Sequence, residues 1–298
     1  MTRFALAALG TAVCLVPAYG QSPEAAKQTV AYVRSLQTKE GGFLPARPDP
    51  KSDRLVRPTL RATSAAIRAL RYFGGQVPDR EACARFVAAC LDKASGGYAD
   101  APGAGKVDVF TTAVGLMAAV ELNLPARTYQ KPAAKYLAEN AKSFADIRIA
   151  VAGFEALKET CPRAREWLEQ VNNLWNADGT AGKGNGVARE TASVAVTVLR
   201  LGGELKNRPQ VLKAIKEGQR PNGGYGKEGA DVSDLETTYR VMRAFTMLKA
   251  RPDDVEGVRS FVAKCRNDDA GYGVSPGQQS SVGATYYAAI ITHWLGKE

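Results

Sequence analysis

Gln219-Arg220-Pro221-Asn222-Gly223-Gly224-Tyr225 leads through a short loop into Asp234-Leu235-Glu236-Thr237-Thr238-Tyr239. The Gly-Gly-aromatic turn recurs as Gly41-Gly42-Phe43, Gly96-Gly97-Tyr98 and, with one glycine replaced, Ala270-Gly271-Tyr272. Each copy is followed by a threonine that opens an apolar run. Tyr98 to Thr111 spans 13 positions, Tyr225 to Thr237 spans 12 and Tyr272 to Thr285 spans 13. The first copy takes 20 positions, from Phe43 to Thr63, because the charged segment 45–58 is inserted. A motif repeated every 40–50 residues or so is the mark of a helical repeat array. Glycine suits such turns because it accepts positive φ after a helix end.

The segments between turns carry helical periodicity, and none alternates with the period of a strand. Six helix pairs are expected. The first members cover about 23–38, 79–93, 128–141, 162–175, 207–220 and 254–267, with charged outer faces. The second members cover about 59–74, 108–123, 145–159, 188–202, 233–249 and 281–296. They are richer in small and apolar residues, as in Thr111-Thr112-Ala113-Val114-Gly115-Leu116-Met117-Ala118-Ala119. A helix apolar nearly all round belongs inside. Six amphipathic helices around six buried ones describe an all-α, (α/α)6 toroid. Aligned on the threonine, the fourth copy supplies Thr191 and the third Arg148.

The chain has 298 residues and a formal charge of +10. Residues 1–20 read as a signal peptide: Arg3, an apolar run from Leu6 to Val16, and the small-x-small site Ala18-Tyr19-Gly20. That implies an exported protein, periplasmic or secreted, with one toroid domain over 21–298. No later stretch resembles a membrane span. The basic surface lacks the clustered basic and aromatic residues of a nucleic-acid groove.

Cys83, Cys90, Cys161 and Cys265 remain after the leader. Cys83 and Cys90 are seven apart on one helix, about 10 Å along its axis, too far for a disulfide. All four read as buried apolar residues. His293 is the single histidine, and no CxxC occurs, so no metal site or cofactor is expected.

Gln37-Thr38-Lys39-Glu40-Gly41-Gly42-Phe43 and the Gln219–Tyr225 stretch share a Q-x-x-x-G-G-aromatic form. It resembles the repeat of the prenyltransferase and squalene-cyclase superfamily, above all the β subunits of protein prenyltransferases. The resemblance covers about residues 24–296 and implies the toroid. It implies a catalytic zinc only where an Asp, a Cys and a His precede the inner helices. Those places carry Val187, Arg189 and Glu236, so zinc-dependent protein prenylation is not expected. The cyclases' acidic motif has a partial counterpart in Asp231, Asp234 and Glu236, with different spacing.

Three functions follow as expectations. The first is a central cavity that binds an apolar or isoprenoid ligand. The second is a prenyl-transfer or terpenoid-cyclase enzyme. In it Glu236, Asp234 and Asp231 would be catalytic, mutual repulsion raising one carboxyl's pKa. The third is a protein-interaction scaffold using the basic outer face or the inserted loop. Acids at the starts of inner helices (Asp108, Asp146, Glu190, Asp231, Asp234, Glu236) also have a plain role in satisfying helix N-termini. Glu190 and Glu236 each stand just before a threonine, a pairing that marks a candidate site, with Arg189, Arg148 and Tyr239 as ligand-binding neighbours.

Overall fold

The computed structural model describes residues 22–51 and 55–296, so the leader reading lies outside the described residues. Among the described residues, twelve α-helices alternate between two concentric layers. The outer layer holds α1 (Pro23–Arg34), α3 (Arg80–Ala89), α5 (Gln130–Asn140), α7 (Ala164–Asn172), α9 (Arg208–Glu217) and α11 (Val255–Lys264). The inner layer holds α2 (Leu60–Tyr72), α4 (Val109–Glu121), α6 (Phe144–Leu157), α8 (Val187–Arg200), α10 (Leu235–Met247) and α12 (Val282–Leu295). Neighbouring inner helices pack side by side, and α12 packs on α2 to close the ring. Among the described residues there are isolated bridges but no strands, and no helix is long and apolar enough to cross a membrane. The expected toroid of six pairs is what the chain forms.

Each inner helix except α8 starts on a side-chain cap: Thr59, Asp108, Ser143, Asp234 and Ser281 accept the N–H three residues ahead. These caps satisfy N–H groups that the helix leaves unpaired. The recurring threonine does something else. Its hydroxyl accepts the backbone N–H of the turn aromatic: Phe43 to Thr63 (2.9 Å), Tyr98 to Thr112 (2.9 Å), Tyr225 to Thr238 (3.1 Å) and Tyr272 to Thr285 (3.1 Å). In the fourth repeat Ala181 takes the aromatic's place and donates to Thr191 at 2.9 Å. The working residues are therefore Thr112 and Thr238 rather than Thr111 and Thr237. In each of those doublets the second threonine lies four positions after the cap, as do Thr63 and Thr285. The four turn aromatics are buried.

The turns also join neighbouring repeats. The first N–H of an inner helix donates to the carbonyl two residues past the next turn's aromatic: Leu60 to Asp100 (2.7 Å), Leu235 to Val274 (2.8 Å) and, across the closure, Val282 to Pro45 (2.9 Å). The motif glutamines reach the same way. Gln37 donates to Asp79 O (2.8 Å), and Gln219 to Asp254 O (2.7 Å). Asp79 and Asp254 cap the following outer helices. The four cysteines are buried and free, and burial pushes the thiols of Cys83, Cys90 and Cys265 up to about 12.

The first glycine of each turn has positive φ, as at Gly223 (+87°), and a Cβ there would meet Gly257 O at 2.0 Å. Ala270 occupies the matching place with φ +66°, a conformation costly for a side-chain-bearing residue. Gly223→Ala should lower stability by about 2 kcal/mol or more, and Ala270→Gly should raise it by about 0.5–1 kcal/mol. Urea denaturation midpoints of the two variants check both signs.

Candidate functional site

The inner helices surround a cavity of about 980 Å³. The ring-facing stripes of the inner helices line this space, so a charge placed on them meets the cavity. Arg61, Arg68 and Arg71 enter from α2, Arg148 from α6, Arg200 from α8, and Arg240 and Arg243 from α10. Among the described lining residues, the opposing charges are Glu121, Glu155 and Glu236. The walls between them are largely aromatic, with Tyr72, Tyr239, Tyr286, Tyr287 and Phe110. The cavity is thus a cationic, tyrosine-walled chamber rather than an aliphatic one.

The arginines differ in how they are paired. Towards the ends of the chamber they have partners. Arg61 hydrogen-bonds Asp108 (3.1 Å), Arg71 pairs with Glu121 (2.6 Å) and Arg200 with Glu155 (2.7 Å). Arg68, Arg148 and Arg243 make no salt bridge with a described carboxylate. Arg68 lies 4.4 Å over the Tyr286 ring, with Met117 sulfur at 3.5 Å. Arg243 stacks over Trp294 (4.8 Å) and donates to the Tyr239 hydroxyl at 3.3 Å, while its buried Nε has no hydrogen-bond partner among the described residues. The Arg148 side chain makes no hydrogen bond to a described residue. Burial and the neighbouring Arg240 lower its pKa to about 10, so it stays charged at neutral pH. Buried charge without a partner is costly and invites an anion.

Glu236 does enter the cavity, but in an ion-pair knot. Arg240 (2.5 Å), Lys227 (3.4 Å) and Arg189 (3.7 Å) surround it. Burial alone would raise its pKa, yet Arg240, Lys227 and Arg189 outweigh burial and hold it below the usual carboxylate range. A carboxylate so held is ionised at neutral pH and has no proton to give an alkene. The expected cluster with Asp231 and Asp234 does not form. Asp234 is spent as the α10 cap, accepting from Thr237 N (2.7 Å) and its hydroxyl (2.8 Å). Asp231 is exposed and does not line the chamber. Asp108 and Asp146 likewise serve helix starts.

Glu190 and Glu236 are not equivalents either. With Thr191 matched to Thr238, it is Arg189 that matches Glu236, and these two touch. Glu190 pairs with Arg189 beside the cavity. Arg148 and Tyr239 line the cavity. At Tyr239 burial raises the phenol's pKa, but Arg243, Arg68 and Arg200 outweigh it and bring the phenol well below its ordinary range. Tyr286 shifts the other way, first by burial and then by Tyr239. Arg68, Arg71, Arg200, Arg240 and Arg243 were not singled out by sequence. Their signal is an arginine in register with the buried positions of an inner helix, as in the seven-residue step from Arg61 to Arg68. No group of three described His, Cys, Asp or Glu residues is placed to hold a metal ion.

The chain belongs to the prenyltransferase α/α toroid domain family, whose match spans residues 2–109, 63–128 and 122–298. A comparison with curated protein sequences gives no match. Among solved structures, Candida albicans protein geranylgeranyltransferase-I complexed with GGPP is similar at 12% identity and TM-score 0.63, over 78% of this chain and 82% of that one. A type II terpene cyclase from Scytonema in complex with merosterolic acid A gives 11% identity and TM-score 0.60, over 91% and 95%. A glycoside hydrolase family 76 mannosidase from Bacteroides thetaiotaomicron gives 10% identity and TM-score 0.60, over 92% and 96%. At such identities the likeness is one of fold.

The Glu236 knot has a pH signature. Its folded pKa is depressed, so its stabilisation is full above the unfolded glutamate value of about 4.3 and is lost as pH falls through the folded value. Glu236→Gln should cost about 1–3 kcal/mol at neutral pH, and the gap to wild type should close towards about pH 3. Chemical denaturation at several pH values measures that convergence.

Proposed function

We propose that this toroid is an exported protein whose central cavity holds a small molecule with an isoprenoid-like apolar body and an anionic head. The observation that carries the reading is the pair Arg68 and Arg243, half-buried in an aromatic chamber without a carboxylate in salt-bridge range. The cavity, about 980 Å³, falls at the upper end of the range for small-molecule sites. Tyr72, Tyr286, Tyr287 and Phe110 supply flat apolar surface for a hydrocarbon, and the guanidiniums supply forked donors suited to phosphate or carboxylate oxygens. The geranylgeranyl diphosphate bound by the Candida enzyme has this two-part character. Export rests on the reading of residues 1–20.

Each residue has a separable part. Arg68, Arg148 and Arg243 neutralise the head. The tyrosines exclude water from the body, which strengthens those charge contacts in turn. Arg200 and Arg240 already have acidic partners, so they set the field rather than anchor the ligand. An acid-catalysed cyclase is disfavoured because Glu236 is held ionised. The scaffold reading would need a surface feature, and the inserted segment's residues 52–54 lie outside the described residues.

Titration of the purified protein with farnesyl diphosphate and with farnesol, followed by tryptophan fluorescence, tests the reading. Trp294 stacks on Tyr239 at 5.6 Å between ring centroids and should report occupancy. The diphosphate should bind at least about tenfold more tightly, a difference of about 1.4 kcal/mol. Arg243→Met and Arg68→Met should abolish that preference while leaving the empty protein as stable or more stable, because each removes an uncompensated half-buried charge. Equal affinities for the two compounds, or binding of neither, would overturn the proposal.

A further inference from the structure

The ring has two unlike ends. Each outer helix runs towards the end that carries the glycine turns, and each inner helix starts there. Among the described residues five large apolar side chains are exposed, and all five lie at this end. Leu55 sits on the inserted segment ahead of α2, Phe110 in the first turn of α4 and Leu174 just past α7. Val232 precedes α10, and Val274 follows the last glycine turn. Leu55 is 73% exposed and Val232 62%. The opposite end, where the inner helices finish, has no exposed large apolar side chain among the described residues. It presents polar groups such as Asn123, Lys158, Lys206 and Lys249.

The chamber reaches the surface at the turn end. Pro45, Thr59, Phe110 and Val282 lie there and line the cavity. Phe110 is both lining and exposed, with Arg61 5.0 Å over its ring. Around α2 and α4 this end is basic. Residues 45–61 and 98–110 hold five described cations there, Arg47, Lys51, Arg57, Arg61 and Lys106, against three described carboxylates, Asp49, Asp100 and Asp108. Asp100 and Asp108 are engaged with Arg61. Lys51, Arg57 and Lys106 are exposed and make no salt bridge with a described carboxylate.

The spread of these apolar groups decides what can cover the face. A stable protein interface needs a contiguous, shape-matched apolar core. Here the five side chains stand on five different repeats round a cavity mouth, with lysines and arginines between them. A lipid surface needs no matching shape. Separate apolar tips enter the boundary between headgroups and chains, while basic side chains meet anionic headgroups. The chain's formal charge of +10 has the sign such a surface attracts. We infer that the turn end of the toroid docks on an anionic lipid bilayer, and that the chamber is loaded through the mouth this contact covers. Docking needs no cavity ligand. The loading half rests on the ligand reading above, because a molecule with an apolar body and an anionic head partitions into bilayers. Phe110 then joins the bilayer to the chamber.

Co-sedimentation with vesicles tests the face, using phosphatidylcholine alone and phosphatidylcholine with about one-third phosphatidylglycerol. Wild type should bind the anionic vesicles at least about tenfold more tightly than the neutral ones. The Leu55→Asp, Val232→Asp double variant should bind the anionic vesicles at least about tenfold more weakly. Both positions are exposed, so its urea midpoint and its titration by free farnesyl diphosphate should match wild type. Lys51→Gln with Arg57→Gln should remove the preference for phosphatidylglycerol. The same neutralisation at the far end, Lys206→Gln with Lys249→Gln, should keep it, which separates a basic face from net charge. Every variant carries the same residues 1–20, so differences between variants read the face. Uptake of farnesyl diphosphate from anionic vesicles, followed by tryptophan fluorescence, should be at least about tenfold slower in Leu55→Asp, Val232→Asp. Absence of vesicle binding, binding unchanged in that double variant, or equal loss from the two neutralisations would overturn docking and leave the ligand reading standing. Self-association of wild type that the double variant loses would place a second copy on the face and overturn it as well. Equal uptake rates, or docking without any binding of farnesyl diphosphate, would overturn the loading half alone.

Discussion

The hydrogen bond from Val282 N to Pro45 O, 2.9 Å long, together with the packing of α12 on α2, makes a closed ring out of what would otherwise be an open solenoid. It is the same bond that ties α2 to the second turn and α10 to the last one. Because the acceptor is always the carbonyl two residues beyond the turn aromatic, the turn geometry sets the angle between successive repeats. The threonine hydroxyl fixes that turn by accepting the aromatic's N–H, which would otherwise be a buried unsatisfied donor costing about 1–3 kcal/mol. Closure leaves no terminal repeat facing water, the usual weakness of repeat arrays.

Closure also creates the chamber, and the chamber explains an otherwise unfavourable choice of residues. Arginines on buried helices oppose folding unless paired. Here the pairs are kept to Arg61, Arg71, Arg200 and Arg240, while Arg68 and Arg243 are left to aromatic faces and Arg148 has no carboxylate in salt-bridge range among the described residues. Cation–π contacts such as Arg68 over Tyr286 offset part of the cost, typically about 1–2 kcal/mol when desolvated. A fold selected for stability alone would place methionine or leucine at these positions. Retaining positive charge there is the trade expected of a binding site.

Much of the architecture was legible in the sequence, because glycine turns and apolar helices recur at a spacing that few folds produce. The threonine register was less so. Thr111-Thr112 and Thr237-Thr238 are doublets, and spacing from the aromatic cannot choose between members; only the cap four residues earlier does. That single-position slip made Glu190 look like the partner of Glu236, when Arg189 is. Asp231 and Asp234 looked like a catalytic cluster because proximity in sequence hides that one is a helix cap and the other faces solvent. The arginine lining escaped notice because the inner helices are apolar on average. A charge on such a helix reads as an exception until the ring is closed and its stripe lines the chamber. The lowered Tyr239 pKa depends on three helices meeting, so no local pattern announces it.

Native mass spectrometry of the protein as purified, followed by denaturation and identification of whatever is released, bears most directly on the cavity's role. The account predicts a released molecule that is both apolar and anionic, absent from preparations of the Arg68→Met, Arg243→Met double variant. Release of an uncharged lipid, or of the same molecule in equal amount from the double variant, would contradict it.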